Sequence, residues 1–253
     1  MNLKKKLKDN ILTIGSWITI ASPIIAEIIS KSNFDWVAID LEHSSINISE
    51  AENLIRVIEL SNNIPLVRVT SNNSDLIKRV MDSGAHGIIV PMINNADDAK
   101  KAVSYTKYPS EGSRSFGLAR AQFYGNYFKK YVSSSKNSLV VIVQVESIES
   151  VNNLEAILKV KGVDGVMIGP YDLSGSMGIP GDFNNKRFKN IIDKINSKCK
   201  KLKKVCGIHV VEPDEKELKK RVEEGYKFIA YSLDSVILSR EVLRAEKFIK
   251  KIK

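Results

Sequence analysis

Apolar residues along this chain recur in two alternating rhythms. Short, nearly unbroken apolar runs, of which Leu139-Val140-Val141-Ile142-Val143 is the clearest, alternate with stretches whose apolar positions follow helical spacing, as at Ala51, Leu54, Ile55 and Ile58. Continuous runs fit parallel strands covered on both faces, and the wider spacing fits helices that bury one side. The runs predict strands over 12–18, 36–40, 65–69, 87–90, 139–145, 165–168, 205–210 and 227–232. The amphipathic stretches predict helices over 24–30, 49–60, 75–83, 97–105, 150–160, 186–201, 214–224 and 235–251. Local signals agree: Ser22-Pro23 reads as an N-cap followed by proline at the first helical position, and Ser49 with Glu52 reads as a capping box.

Strand followed by helix, eight times over 253 residues, predicts an α/β chain closed into a (β/α)8 TIM barrel, one domain covering 1–253. A doubly wound open sheet is the alternative, disfavoured because no Gly-x-Gly-x-x-Gly follows the first strand. Between 108 and 138 the alternation lapses into a stretch rich in Gly, Ser, Arg and aromatic residues. A connection longer than ~15 residues is usually functional or has structure of its own.

Composition narrows the class without altering that architecture. Hydrophobic residues at 43% and charged residues at 27% allow a large core and show no bias toward disorder. The net charge of +10 invites a nucleic-acid partner. However, the lysines are dispersed over helical segments and peak near the end, at Lys198, Lys200, Lys201, Lys203 and Lys204 and again at Lys247, Lys250, Lys251 and Lys253. They carry no aromatic interleaving and match no recognisable binding module, so a solvated surface is expected and a nucleic-acid partner is not. Cys199 and Cys206 form no CxxC pair and are too few for a disulfide framework, which fits a reducing, cytoplasmic compartment. Lys4-Lys5-Lys6 superficially resembles the start of a signal peptide, but Asp9, Asn10, Gly15 and Pro23 interrupt the apolar residues after it. No run approaches the ~18 apolar residues of a membrane span.

In a (β/α)8 barrel the C-terminal strand ends form the catalytic face. That rule sorts the polar residues. Asp40, Glu42 and His43 follow strand two, Arg68 ends strand three, Gln144 and Glu146 end strand five, Asp172 follows strand six and His209 closes strand seven. His86 precedes strand four, on the opposite face, and is expected to be structural. Glu146 and Asp172 have the character of a divalent-metal pair, two hard carboxylates from neighbouring strands; capping a helix or pairing with a lysine would serve equally well. His43 lies near two carboxylates, which can orient an imidazole and raise its basicity. Arg68 ends an apolar strand, where a guanidinium needs an anion, either a substrate or a salt-bridge partner. No strand ends in a catalytic-side lysine, and no Ser-His-Asp motif or phosphate loop appears, so metal-assisted proton transfer is the chemistry these residues best support.

Most of the chain, in order, resembles the metal-dependent class II pyruvate aldolases of the HpcH/HpaI family. The resemblance runs through Phe34-Asp35-Trp36, Asp40-Leu41-Glu42-His43, Pro65-Leu66-Val67-Arg68-Val69, Met81-Asp82-Ser83-Gly84-Ala85, Val90-Pro91-Met92, Tyr108-Pro109, Gly112-Ser113-Arg114 and Gln144-Val145-Glu146. Its most specific part is Gly162-Val163-Asp164-Gly165 leading to Gly169-Pro170-Tyr171-Asp172-Leu173-Ser174. It implies a pyruvate-binding barrel, assembled as a homo-oligomer (hexamer or trimer) with its last helix exchanged between subunits. It also implies aldol cleavage or formation of a 4-hydroxy-2-oxoacid from pyruvate enolate and an aldehyde. By this resemblance Glu146 and Asp172 hold Mg²⁺, Mn²⁺ or Co²⁺, and Arg68 stabilises the enolate oxygen. Gln144, Gly169, Pro170 and the amides of Tyr171 and Asp172 line the oxoacid. His43, oriented by Asp40, is the base, and Asp82 reaches toward a neighbouring subunit's site. The region of Arg114, Arg120 and Tyr124 resembles one that closes the site and builds subunit contacts. Tyr171 stands where a smaller residue is common, no glycine follows strand eight at Ser232, and His209 adds a polar group near the rim; these departures bear on the aldehyde. Relatives with the same enolate and another electrophile, as in citrate-like or surface-sugar products, are the competing reading. A barrel kept for assembly or ligand sensing is a third.

Overall fold

The computed structural model describes residues 2–253. The described residues form a closed barrel in which β1 (Thr13–Ile18), β2 (Trp36–Asp40), β3 (Pro65–Arg68), β4 (Gly87–Val90), β5 (Val140–Val145), β6 (Gly165–Ile168), β7 (Val205–Val210) and β8 (Phe228–Leu233) pair in sequence order, with β8 closing on β1. Every pairing is parallel. This is the expected (β/α)8 barrel.

Alternation along the strands puts one set of side chains into the barrel. Near the strand starts Trp36 and Phe228 stack across the interior with ring centroids 4.3 Å apart. They need room on neighbouring strands: a Cβ at Gly15 would sit 2.1 Å from the Trp36 ring, and one at Gly207 2.9 Å from Phe228. Bulky rings facing glycines are how this interior reaches native packing density. The other faces of the strands pack against helices α2 (Pro23–Ser30), α3 (Ile48–Leu60), α4 (Ser74–Asp82), α5 (Ala96–Thr106), α10 (Lys186–Lys201) and α11 (Glu215–Glu223).

Several elements differ from the sequence expectation. Residues Leu3–Lys8 form a short helix, α1, whose Leu3 and Leu7 join the inner cluster and close the N-terminal end of the barrel. Lys4 fastens it, donating to Asp164 at 2.8 Å and to the Leu139 carbonyl at 2.6 Å. The capping box of α3 is Asn47 with Glu50, two residues before the pair chosen by pattern; Asn47 accepts from the Glu50 amide at 3.1 Å and Glu50 accepts from the Asn47 amide at 2.8 Å. The helix expected over 150–160 is two short ones, α7 (Ile148–Asn152) and α8 (Leu154–Leu158). A further helix, α9 (Pro170–Ser176), follows β6 directly.

The irregular stretch has structure of its own. Phe128–Ser138 is a helix, α6, and Arg114, with its side chain fully buried, pairs with Asp82 at 2.6 Å between the rings of Tyr108 and Tyr131. Arg120 binds Glu59 at 2.6 Å and the Ser83 carbonyl at 3.0 Å. Asp82, Glu59 and Ser83 all lie where helices end and strands begin. The segment therefore braces the end of its own barrel opposite the catalytic mouth and does not close that mouth. His86 sits there too, 3.1 Å from Glu59, in the structural place expected of it.

The last helix, α12 (Asp234–Ile252), follows β8 but barely touches the barrel. Asp234 anchors its start by accepting from the Thr19 and Ile20 amides, each at 2.9 Å, and is its only buried residue. Leu238, Val242, Phe248 and Ile252 are all exposed.

Candidate active site

The predicted strand ends converge on the C-terminal mouth. The parallel register sets Asp40 beside Arg68, and the guanidinium donates from Nε (2.8 Å) and Nη2 (2.6 Å) to the two oxygens of the buried Asp40 carboxylate. Such a planar two-point pair fixes the guanidinium plane as well as its position. The third nitrogen, Nη1, reaches Gln144 Oε1 at 3.5 Å. Gln144 in turn donates from Nε2 to Glu146 at 2.6 Å, as their two-residue spacing on one strand face allows. Glu146 also accepts from the Met92 amide in the turn after β4.

Glu146 and Asp172 come together around Gly169. An ideal Cβ on Gly169 would lie 3.0 Å from Glu146 Oε2 and 3.7 Å from Asp172 Oδ2, so both carboxylates face a space that only a glycine leaves open. Asp172 is in the first turn of α9, which has Pro170 at its first position and no side-chain cap. Its first intrahelical bond is donated by Leu173 to Gly169, which leaves the Tyr171 and Asp172 amides ahead of it as open donors. The Tyr171 ring packs edge-on against Phe183 at 4.9 Å and is mostly exposed, so it lies at the rim and does not narrow the chamber floor.

The Asp40–His43 relation differs from the expectation. Both Asp40 oxygens hold Arg68, and Oδ1 accepts the Glu42 and His43 amides at 3.0 and 3.3 Å, so Asp40 shapes the loop through its backbone. The carboxylate beside the His43 ring is that of Glu42, at 3.8 Å, and the ring is 65% exposed. Glu42 is the less exposed member of the pair: it is half-buried 3.4 Å from Arg68 Nε, and its Oε2 has no hydrogen-bond partner among the described residues. Burial, reinforced by Glu146, Asp40 and Asp172 and opposed by Arg68, pushes its pKa up to about 7. Burial also raises the pKa of Glu146, against the pull of the Met92 amide and Gln144.

Four carboxylates thus share this mouth with one guanidinium. That imbalance, the orphaned Glu42 oxygen and the glycine-walled space between Glu146 and Asp172 all fit a hard divalent cation. The described residues contain no group of three or more His, Cys, Asp or Glu placed to hold a metal ion, so Glu146 and Asp172 are the pair of carboxylates that could hold one.

Two contributors were not foreseen. Trp17, inward-facing at the end of β1, carries the Arg68 guanidinium over its ring at 4.6 Å, and strand alternation from Gly15 would have found it. The Met92 amide, set by a φ of +55° after Pro91, leaves no trace in side-chain chemistry. Asp82, held by Arg114 at the opposite end, does not reach the mouth of its own barrel. His209, half-buried on β7, does reach it, with its ring 5.8 Å from that of Trp17.

Known proteins resemble this chain in sequence and in fold. The family model described as HpcH/HpaI aldolase/citrate lyase matches residues 13–240. A 2-keto-3-deoxy-L-rhamnonate aldolase of Klebsiella pneumoniae is 35% identical over 233 residues, covering 91% of this chain and 86% of that protein. A crystal structure of an HpcH/HpaI aldolase/citrate lyase family protein from Burkholderia cenocepacia superposes with a TM-score of 0.92 at 30% identity, covering 98% of both chains. That of the citrate synthase SbnG superposes with a TM-score of 0.87 at 27% identity, covering 99% of this chain and 98% of the other. Family match, relatives and barrel agree: this chain belongs to the HpcH/HpaI aldolase/citrate lyase family and is a carbon–carbon lyase.

Proposed function

We propose that this barrel cleaves or forms a 4-hydroxy-2-oxoacid at a divalent-metal site held by Glu146 and Asp172, with pyruvate and an aldehyde as the other side of the reaction. The observation that carries the metal reading is the pair of carboxylate oxygens turned to the same space beside Gly169. When bound, Mg²⁺, Mn²⁺ or Co²⁺ would act as a Lewis acid toward the oxoacid.

The chain's own groups supply the rest. The open amides of Tyr171 and Asp172, beside Gly169 and Pro170, receive the oxoacid carboxylate. Arg68, locked on one edge by Asp40, offers Nη1 to the oxygen that becomes the enolate, a donor fixed before charge develops. Gln144 ties Arg68 to Glu146 and keeps both aimed at one substrate. In cleavage His43, beside Glu42, accepts the 4-hydroxyl proton, the C3–C4 bond breaks, the aldehyde departs and the electron pair remains on C3 and the enolate oxygen. Return of the proton from His43 to C3, through solvent, then yields pyruvate and restores the base. Synthesis runs the same steps backwards.

The test is exchange of pyruvate methyl protons for deuterium, followed by NMR on metal-free protein with each ion added. Metal-stimulated exchange is expected, and its absence with Mg²⁺, Mn²⁺ and Co²⁺ alike overturns the reading. The likeness to a citrate synthase favours a second version, in which the same enolate attacks the keto group of another oxoacid. Product analysis with aldehyde and oxoacid acceptors separates the two.

The exposed apolar residues of α12 support a homo-oligomer in which this helix packs on a second copy, and light scattering of a chain ending before it should report a smaller species. Asp82 keeps one oxygen free of Arg114, as contact with a neighbour's site would require. No helix is long and apolar enough to cross a membrane among the described residues, and the two cysteines are free and buried. Both features suit a cytoplasmic enzyme of one barrel domain.

A further inference from the structure

The inner face of the mouth is a layer drawn from alternate strands: Trp17 of β1, Arg68 of β3, Gln144 of β5 and His209 of β7. Three of these already have work in the proposed chemistry or its support. His209 does not. Its Nε2 lies 3.1 Å from the Ser232 carbonyl, which can only accept, so Nε2 carries the proton. Burial and the nearby Arg68 charge push the imidazole pKa down to about 4, so the ring is neutral at working pH. Nδ1 is then a bare acceptor. It has no hydrogen-bond partner among the described residues, and the ring stands half-buried at the mouth beside Trp17.

The anchor of this ring is itself unusual. Ser232 is fully buried and holds a φ of +52°, a left-handed conformation uncommon for serine, where the β1–β8 register breaks. Strained positions of this kind persist where surrounding structure enforces them and cluster at functional sites. A histidine kept only for packing would be served as well by an apolar side chain in this wall. Here one nitrogen is fixed and the other is left without a partner, in a ring that shares Trp17 as a neighbour with Arg68, at 5.8 Å for His209 and 4.6 Å for Arg68.

We propose that His209 is a specificity-determining residue, accepting a hydrogen bond from a hydroxyl on the aldehyde-derived part of the substrate, so that hydroxyaldehydes are preferred over unsubstituted ones. The inference rests on the lyase reading above, which assigns the β5–β6 corner to the oxoacid end and leaves the β7–β8 wall to the remainder. A bare lone pair rewards a donor, gives nothing to a methyl group and repels a carboxylate.

The experiment measures kcat/KM for glycolaldehyde and for acetaldehyde, which differ by one hydroxyl, with pyruvate and Mn²⁺. Wild-type protein should prefer glycolaldehyde by about tenfold, the size of one neutral hydrogen bond. His209→Leu should bring the ratio to about one, mainly through KM, and His209→Asn, which keeps an acceptor near the Nδ1 position, should retain part of it. A wild-type ratio near one, or the same ratio in wild type and a folded His209→Leu, overturns the proposal. Wild-type pyruvate exchange, run alongside, tells the failures apart: exchange with an unmoved ratio sinks only the role of His209, whereas absent exchange sinks the lyase reading on which it stands.

Discussion

Gly169→Ala isolates one physical quantity, the space between Glu146 and Asp172. The backbone at this position has φ −95° and ψ 91°, which alanine adopts without strain, so the glycine is not there for its conformational freedom. What alanine adds is a Cβ at 3.0 Å from Glu146 Oε2, 3.1 Å from Glu146 Cβ and 3.7 Å from Asp172 Oδ2. The Glu146 side chain cannot swing clear at no cost, because the Met92 amide and Gln144 hold its two oxygens. The methyl group must therefore move the carboxylate by a few tenths of an ångström or break one of those bonds. Overpacking of this kind costs about 1–3 kcal/mol, so the variant should fold with a lowered melting temperature. Displacing a ligand by that amount resembles the loss of its supporting contacts, worth about 10–100-fold in metal affinity. Mn²⁺ titration followed by electron paramagnetic resonance reads the affinity, and pyruvate exchange reads the consequence. Gly175→Ala is the control on the same helix, since a Cβ there meets nothing within 4 Å. If Gly169→Ala binds Mn²⁺ as tightly as Gly175→Ala does, the two carboxylates do not share a metal.

The same geometry sets three other outcomes. Glu146→Ala and Asp172→Ala should each abolish metal-stimulated pyruvate exchange while the chain stays folded by circular dichroism; full activity in either removes it from the site. Arg68→Ala should cut exchange with Mn²⁺ still bound, and it should also lower the urea midpoint by the equivalent of about 3–5 kcal/mol, because buried Asp40 loses its counter-charge. Glu42 gives the metal-free protein a pH signature: its pKa in the folded chain is raised from 4.5 to about 7, so the folded state holds a proton that the unfolded state has released. Its contribution is therefore complete below the unfolded value and is lost as pH rises through the folded one, by at most about 3 kcal/mol, and Glu42→Gln should flatten urea midpoints over that window. An identical pH profile in that variant would assign the slope to other groups.

Much of the site was legible because a barrel turns sequence position into location. An apolar run followed by an ionisable residue marks a strand's C-terminal end, and Asp40, Arg68, Glu146 and Asp172 are legible that way. Strand periodicity extends this to Gln144 and Glu146, whose two-residue spacing places them on one face within hydrogen-bonding reach. More than one residue past the strand end no period operates. Glu42 and His43 are adjacent in a loop, and nothing in their order shows that the glutamate is half-buried while the histidine stands in solvent. Sequence reasoning assigned Asp40 to the His43 ring, whereas the fold uses both its oxygens on Arg68 and on two loop amides.

Helices were legible only where their stability is local or their partner is the barrel wall. α1 is too short to be stable alone and exists because Leu3 and Leu7 fill the open end of the barrel, a tertiary cause with no local pattern. α12 is the converse: a long amphipathic pattern predicts it correctly, yet its apolar residues meet solvent in one chain, because amphipathy records that a face is to be covered and not by what. The same distinction applies to Gly169. A glycine before a proline reads as a turn, and its conformation requires no glycine at all; its place beside Glu146 and Asp172 becomes intelligible only when the missing Cβ is measured against them. What composition and period cannot express is the space a residue leaves empty, and in this chain that space is where the proposed metal would sit.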